Sequence, residues 1–172
     1  GDKTIGKNQP AYIIAEIGAN FNGSLTQAKK LCDEAKKAGA DCAKFQMRNL
    51  KELYRNSKDY KNEDLSSQYV LDILNKFNME KEELFGLFDY CQEIGITPLC
   101  TPWDISSFNS LEDYGMVAYK TASADLTNHE LLKAIALSGK QMFVSTGMSI
   151  EKEIIEASYL LKRSNALFNL LH

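Results

Sequence analysis

Six short apolar runs, spaced along the chain and separated by helical patterns, constrain this sequence more than any other feature. They are AYIIAEIG (11–18), DCAKFQ (41–46), TPLCT (97–101), MVAYKTAS (116–123), QMFVSTG (141–147) and LFNLLH (167–172). In the first gap, Leu25, Ala28, Leu31, Cys32, Ala35 and Ala38 recur at three- and four-residue intervals, the spacing of one helix face. Ser24 and Gln27 make a capping-box pair ahead of that face, and Gly39 sits where a left-handed stop belongs. Leu84, Leu87, Phe88, Cys91 and Ile94 form a second face, stopped by Gly95. Phe108, Leu111 and Tyr114 precede Gly115, and Leu131, Leu132, Ile135 and Ala136 precede Gly139. A further helix carries Ile154, Ile155, Ala157, Ser158 and Leu161, with Ser149 as its predicted cap.

Strand alternating with helix predicts parallel strands covered by helices. An open doubly wound sheet and a (β/α)8 barrel both fit that alternation. The first βα turn, AEIGANFNGS, lacks G-x-G-x-x-G, which argues against a dinucleotide site. One interval is long: residues 47–78 form a polar, tyrosine-bearing insertion in which LSSQYVLDIL reads as a short helix. It leaves the carboxyl end of a strand, where a lid would sit.

Two of the strands contain a lysine, Lys44 in ADCAKFQ and Lys120 in VAYKTAS. Lysine is almost never fully buried without a partner. Side chains alternate faces along a strand, so Cys42, Lys44 and Gln46 share one face. The same alternation groups Ala118, Lys120 and Ala122, then Ile14, Glu16 and Gly18, then Thr97, Leu99 and Thr101. Phe143 goes with Ser145, and Phe168 and Leu170 with His172. Each strand thereby places a polar group on one face near its carboxyl end, as a barrel with a site at its mouth requires. An open sheet, covered on both faces, would tolerate those lysines badly.

Glu16 can neutralise one of the lysines, and the second asks for an anion. Thr101, Ser123 and Ser145 supply hydroxyl donors at the same level. Two lysines and several hydroxyls suit a phosphate or carboxylate ligand. A structural Lys–Glu–Lys network without a ligand fits the same residues, and so does a Schiff-base lysine at position 120 in an aldolase or lyase.

With 44% hydrophobic and 25% charged residues among 172, the chain is long enough for one good core. A net charge of −3 does not favour nucleic acid or an anionic membrane as partner. No apolar run approaches the roughly 20 residues of a membrane span. Cys32, Cys42, Cys91 and Cys100 lack metal-type spacing and are read as free thiols of a reducing cytoplasm.

Taken together, IIAEIGANFNGSLTQAKKLCDEAKKAGADCAKFQ, CTPWD, AYKTASADLTN and FVSTGMS resemble the sialic acid synthase family. The resemblance runs in order from about residue 10 to the last residue, interrupted by the insertion. It implies a TIM-type (β/α) barrel, here its first five βα units and a sixth strand. Residues 1–172 would form the N-terminal part of a phosphoenolpyruvate-binding synthase domain, without the family's C-terminal antifreeze-like domain. The implied reaction condenses phosphoenolpyruvate with an N-acyl amino sugar, such as N-acetylmannosamine, to a nonulosonic acid, releasing phosphate. By the same resemblance Glu16 contacts the reacting groups, Lys44 and Lys120 bind phosphoenolpyruvate, and Ser123, Ser145 and Thr101 surround its phosphate and carboxylate. Gln46 is implied as a sugar contact. A divalent metal, Mn2+ or Mg2+, is implied as cofactor, with its ligands outside this chain. Neither His129 nor His172 is expected to ligate it, and the chain alone is expected to be inactive. Two departures stand out: Asn20-Phe21, where the family commonly has Asn-His near the substrate, and Ser123-Ala124, where it often has Ser-Gly. The strand edges at AYIIAEIG and LFNLLH would invite pairing with another copy, so a homo-oligomer is expected. A non-catalytic anion-binding half-barrel is the alternative of a different class.

Overall fold

The computed structural model describes residues 3–53 and 72–172. Its strands are β1 (Ile14–Gly18), β2 (Cys42–Met47), β3 (Thr97–Pro102), β4 (Ala118–Thr121), β5 (Gln141–Ser145) and β6 (Phe168–Leu171). The helices are α1 (Leu25–Lys37), the short α2 (Leu50–Leu53), α3 (Lys81–Glu93), α4 (Ile105–Tyr114), α5 (His129–Leu137) and α6 (Glu151–Arg163). The strands are hydrogen-bonded in the order β1-β2-β3-β4-β5-β6. The pairs β1–β2, β3–β4, β4–β5 and β5–β6 are parallel. A doubly wound sheet reverses direction at a switch point, giving orders such as 3-2-1-4-5-6. Strictly sequential order is that of the barrel type. The fold is therefore α/β of the (β/α)-barrel type, five βα units followed by a sixth strand. The predicted helix LSSQYVLDIL lies mostly in 54–71, outside the described residues; on either side, 50–53 and 72–77 are helical.

The chain divides into two compact units. The first comprises residues 1–45 and 50–98 and holds β1, most of β2, α1 and α3. Ser24 caps α1 by accepting the Gln27 N–H at 3.3 Å, and Gly39 follows it at φ 85°. Lys36 and Lys37 sit in the last turn, where cations complement the helix dipole. Ala28 and Cys32 of α1 and Leu84, Leu87, Phe88 and Cys91 of α3 are buried, as the sequence spacing predicts, and the two helices pack together. Phe45 on the helix-facing side of β2 meets Phe88 at 5.5 Å.

The second unit comprises residues 46–49 and 99–172. Gly115 (φ 89°) and Gly139 (φ 71°) end α4 and α5. Leu131, Leu132, Ile135 and Ala136 of α5 and Ala157 and Leu161 of α6 are buried. Tyr119, Thr121, Met142 and Val144 form a fully buried, helix-facing layer, in which Tyr119 packs edge-on against Phe108. Burial, then the Glu112 acceptor, holds the Tyr119 phenol above its ordinary pKa.

Two local expectations are corrected here. Ser149 does not cap α6: its hydroxyl bonds the Gly147 carbonyl, and the Ile150 N–H is taken by the Glu153 carboxylate at 2.9 Å. The parity of the last strand is also the reverse of that predicted. Val144 pairs with Leu170 and Ser145 with Leu171, and partners in a parallel ladder share a face. Phe168 and Leu170 therefore lie on the helix-facing side with Met142 and Val144, and Asn169 and Leu171 lie on the side of Ser145. A run as uniformly apolar as LFNLLH carries no alternation from which to read its faces.

Candidate functional site

In the first unit, Glu16 on β1 and Lys44 on β2 are register partners, and their side chains meet. Lys44 Nζ lies 2.8 Å from Glu16 Oε2. Lys44 is buried, at 6% exposure, whereas the Glu16 side chain is 55% exposed. The carboxylate thus neutralises the ammonium from the open side. Immediately after Glu16 the ladder slips, so that Gly18 rather than Ile17 pairs with Phe45. Such a bulge bends the strand end and re-aims its side chains. The following loop passes under the backbone of Lys76: a Cβ at Gly23 (φ 73°) would lie 2.7 Å from the Lys76 carbonyl oxygen. Glycine alone fits there, for backbone conformation and for space. Phe21, where a histidine near substrate is common in the resembling family, is buried at 4% exposure and serves as core. Cys42 shares the Lys44 face; burial pushes its thiol up to about 12, so it is a neutral spacer rather than a nucleophile.

In the second unit, Lys120 is half-buried near the carboxyl end of β4. Its ammonium donates to the Thr121 carbonyl at 2.8 Å and to the Ser145 hydroxyl. Ser123 opens the 3-10 turn Ser123–Asp125 directly after β4. A Cβ at Gly147 would come 2.9 Å from Ser123 Oγ, so the loop after β5 approaches this hydroxyl closely. Thr101 is buried on β3. Cys100 pairs with Tyr119, which puts Thr101 on the Lys120 face by alternation. Lys120 and Ser145 thus form a donor pair at adjacent strand ends, with Thr101 on the same face one strand away.

Gln46 stands in a second cluster of this unit. Its Oε1 accepts from Trp103 Nε1 at 3.3 Å and from the Arg48 guanidinium, and Arg48 stacks over the Trp103 ring at 4.5 Å. The backbone on either side is tied down. Trp103 N–H donates to the Met47 carbonyl at 3.0 Å, and Asn49 N–H to Asp104 at 2.7 Å. Asp104 also caps α4 through Ser107 N–H and accepts from the Ser106 and Ser107 hydroxyls. Strand parity and helical spacing do not single out Arg48, Trp103 or Asp104. The available signal is the lone tryptophan in CTPWD at a strand end, followed by Asp-x-x-Ser.

Asp125, which follows Ser123, is buried, and its Oδ2 has no hydrogen-bond partner among the described residues. Burial raises its carboxyl above the ordinary value, against the lowering effect of the Asn128 amide. His129 opens α5 at the surface, and His172 is exposed. Among the described residues no three His, Cys, Asp or Glu side chains are gathered to hold a metal. The divalent metal implied by the resemblance is expected to have its ligands outside this chain, and no step below passes through one. All four cysteines are free and buried. Among the described residues no helix is long and apolar enough to cross a membrane.

These features define a parallel (β/α)-barrel chain with lysine, carboxylate and hydroxyl groups at its strand ends. A family model described as the NeuB family matches residues 31–172, and the chain belongs to that family. It is 36% identical over 164 residues to an uncharacterised protein of Methanocaldococcus jannaschii, covering 95% of this chain and 46% of that protein. It is 33% identical over 158 residues to the N,N'-diacetyllegionaminic acid synthase of Campylobacter jejuni, covering 90% of this chain and 47% of that one. Among solved structures, the N-acetylneuraminic acid synthetase of Leptospira borgpetersenii, in complex with citrate, superposes with a TM-score of 0.86. It is 32% identical, with 99% of this chain and 58% of that chain covered. The chain spans less than half the length of the curated relatives it matches here.

Proposed function

We propose that the protein to which this chain belongs condenses phosphoenolpyruvate with an N-acyl amino sugar to a nonulosonic acid. A carbon–carbon bond forms between the methylene carbon of phosphoenolpyruvate and the sugar aldehyde carbon, whose oxygen takes up a proton; water adds at the phosphate-bearing carbon, and inorganic phosphate leaves. The observation that carries this reading is the Lys120–Ser145 contact at adjacent strand ends, with Ser123 close to Gly147 on the loop that follows Ser145. It is a preformed donor pair in a chain whose relatives include named nonulosonate synthases. In this reading Lys120, Ser123, Ser145 and Thr101 hold the phosphate and carboxylate of phosphoenolpyruvate, and Lys44 adds a second positive charge. Such preorganised donors stabilise charge that develops on the departing phosphate. Glu16 holds the Lys44 ammonium and, being half exposed, orients a water or sugar hydroxyl at the reacting carbon. Gln46 contacts the sugar.

The test is phosphate release by the intact natural protein, supplied with phosphoenolpyruvate, a divalent metal and a panel of N-acyl hexosamines. Release that depends on both organic substrates is expected. Its absence across the panel, or borohydride trapping of pyruvate on Lys120, would refute the reading.

A further inference from the structure

The Gln46 amide has two chemically opposite ends, and its neighbours decide which end faces the substrate. Trp103 Nε1–H and the Arg48 guanidinium can only donate hydrogen bonds. Both meet Gln46 at Oε1. Turning the amide over would set its N–H2 group against two donors, so the observed orientation is the one the pair allows. Arg48 cannot drift away easily. Its guanidinium lies on the Trp103 indole, and the flanking Met47 and Asn49 are hydrogen-bonded to Trp103 and Asp104. A second clamp joins the Asn49 side chain to Ser106 at 3.2 Å.

We propose that Trp103 and Arg48 are positioning residues that lock Gln46 as a hydrogen-bond donor toward the sugar. The group it reads is an oxygen acceptor on the sugar, such as the carbonyl of the N-acyl substituent. This rests on the reading of Gln46 as a sugar contact, and deepens it from a contact to a polarity. A donor held in place penalises a sugar that lacks the matching acceptor, because a half-buried amide would lose its water without a replacement. Preorganisation places the effect in substrate affinity rather than in the chemical step.

The experiment uses the intact protein with phosphoenolpyruvate and N-acetylmannosamine, or whichever N-acyl hexosamine of the panel turns over. Gln46→Glu replaces the donor by an acceptor-only carboxylate that still suits Arg48; it should raise KM for the sugar about tenfold or more, the scale of one missing hydrogen bond. KM for phosphoenolpyruvate should stay within about twofold. Trp103→Phe keeps the ring and loses the N–H, and should raise the sugar KM several-fold. The decisive reading is the double variant: once Gln46 is Glu, Trp103→Phe should add nothing, since Trp103 acts through Gln46. Arg48→Lys, which keeps a donor-only cation, should be milder than Arg48→Met. Additive effects in the double variant, or a sugar KM unmoved by Gln46→Glu, would overturn the inference while leaving the synthase reading intact. No turnover by the unmodified protein would overturn both.

Discussion

The carboxyl ends of β1–β2 and of β4–β5 each accommodate a lysine in an apolar strand, by different means. Lys44 is buried and meets a carboxylate, Glu16, placed opposite it by strand register. Lys120 is less buried and donates to neutral oxygens, the Thr121 carbonyl and the Ser145 hydroxyl. One sequence signature thus has two physical solutions. Among the contacts described, the first lysine meets a carboxylate, and the second meets a hydroxyl that can equally serve an incoming anion.

The largest expected effect tests that division directly. Lys120→Met should lower kcat/KM for phosphoenolpyruvate by about 100-fold or more, the scale expected when a partly desolvated site is deprived of a charge-assisted hydrogen bond. Thermal stability should stay close to that of the parent. Equal loss of stability and turnover would mean that Lys120 is structural.

At the other end the stability effects should be asymmetric. Glu16→Gln leaves a buried ammonium without its carboxylate and should cost about 1–2 kcal/mol, the lower range for breaking a pair because Glu16 is half exposed. Lys44→Met exchanges the ammonium for apolar volume, leaves Glu16 facing water, and should be near neutral for stability. Denaturant titration of both variants distinguishes these outcomes. Equal costs would remove the claim that Glu16 serves Lys44.

Asp125 is the contrasting carboxyl, buried with an oxygen that lacks a partner among the described residues. Its pKa is raised in the fold, chiefly by burial, so the folded state binds the proton more tightly than the unfolded chain. Its stabilising contribution is then present below the unfolded value of 3.8 and is lost as pH rises through the folded value. Asp125→Asn should therefore raise Tm near neutral pH by about 2–4 °C, the response to roughly 1 kcal/mol in a chain of this size. The gain should shrink as pH falls below 4, which melting curves across that range would show. The smallest effect belongs to Gly147→Ala. The added Cβ displaces the Ser123 hydroxyl, a flexible group, so Tm should move by about 1 °C or less while KM for phosphoenolpyruvate rises several-fold.

Much of this is legible in the sequence, for identifiable reasons. Helix faces ending at Gly39, Gly115 and Gly139 can be read because spacing and a left-handed stop are local properties. The Lys44 face can be read because polar and apolar residues alternate in DCAKFQ. β6 misleads because Phe168, Leu170 and Leu171 give no such alternation, and its faces are set by register against β5. That Glu16 takes Lys44 rather than Lys120 depends on which strands are neighbours, which no single strand states. The Gln46–Trp103–Arg48 cluster escapes a strand-by-strand reading because its members come from the ends of two strands 57 positions apart, and Arg48 lies inside a segment that reads as a polar insertion.

The most direct measurement is calorimetric titration of phosphoenolpyruvate into the intact protein and into its Lys44→Met and Lys120→Met variants. Saturable binding by the parent and its loss in both variants, with folding preserved, is the predicted result. Undiminished binding in either variant would contradict the assignment of these strand-end lysines to the anionic substrate.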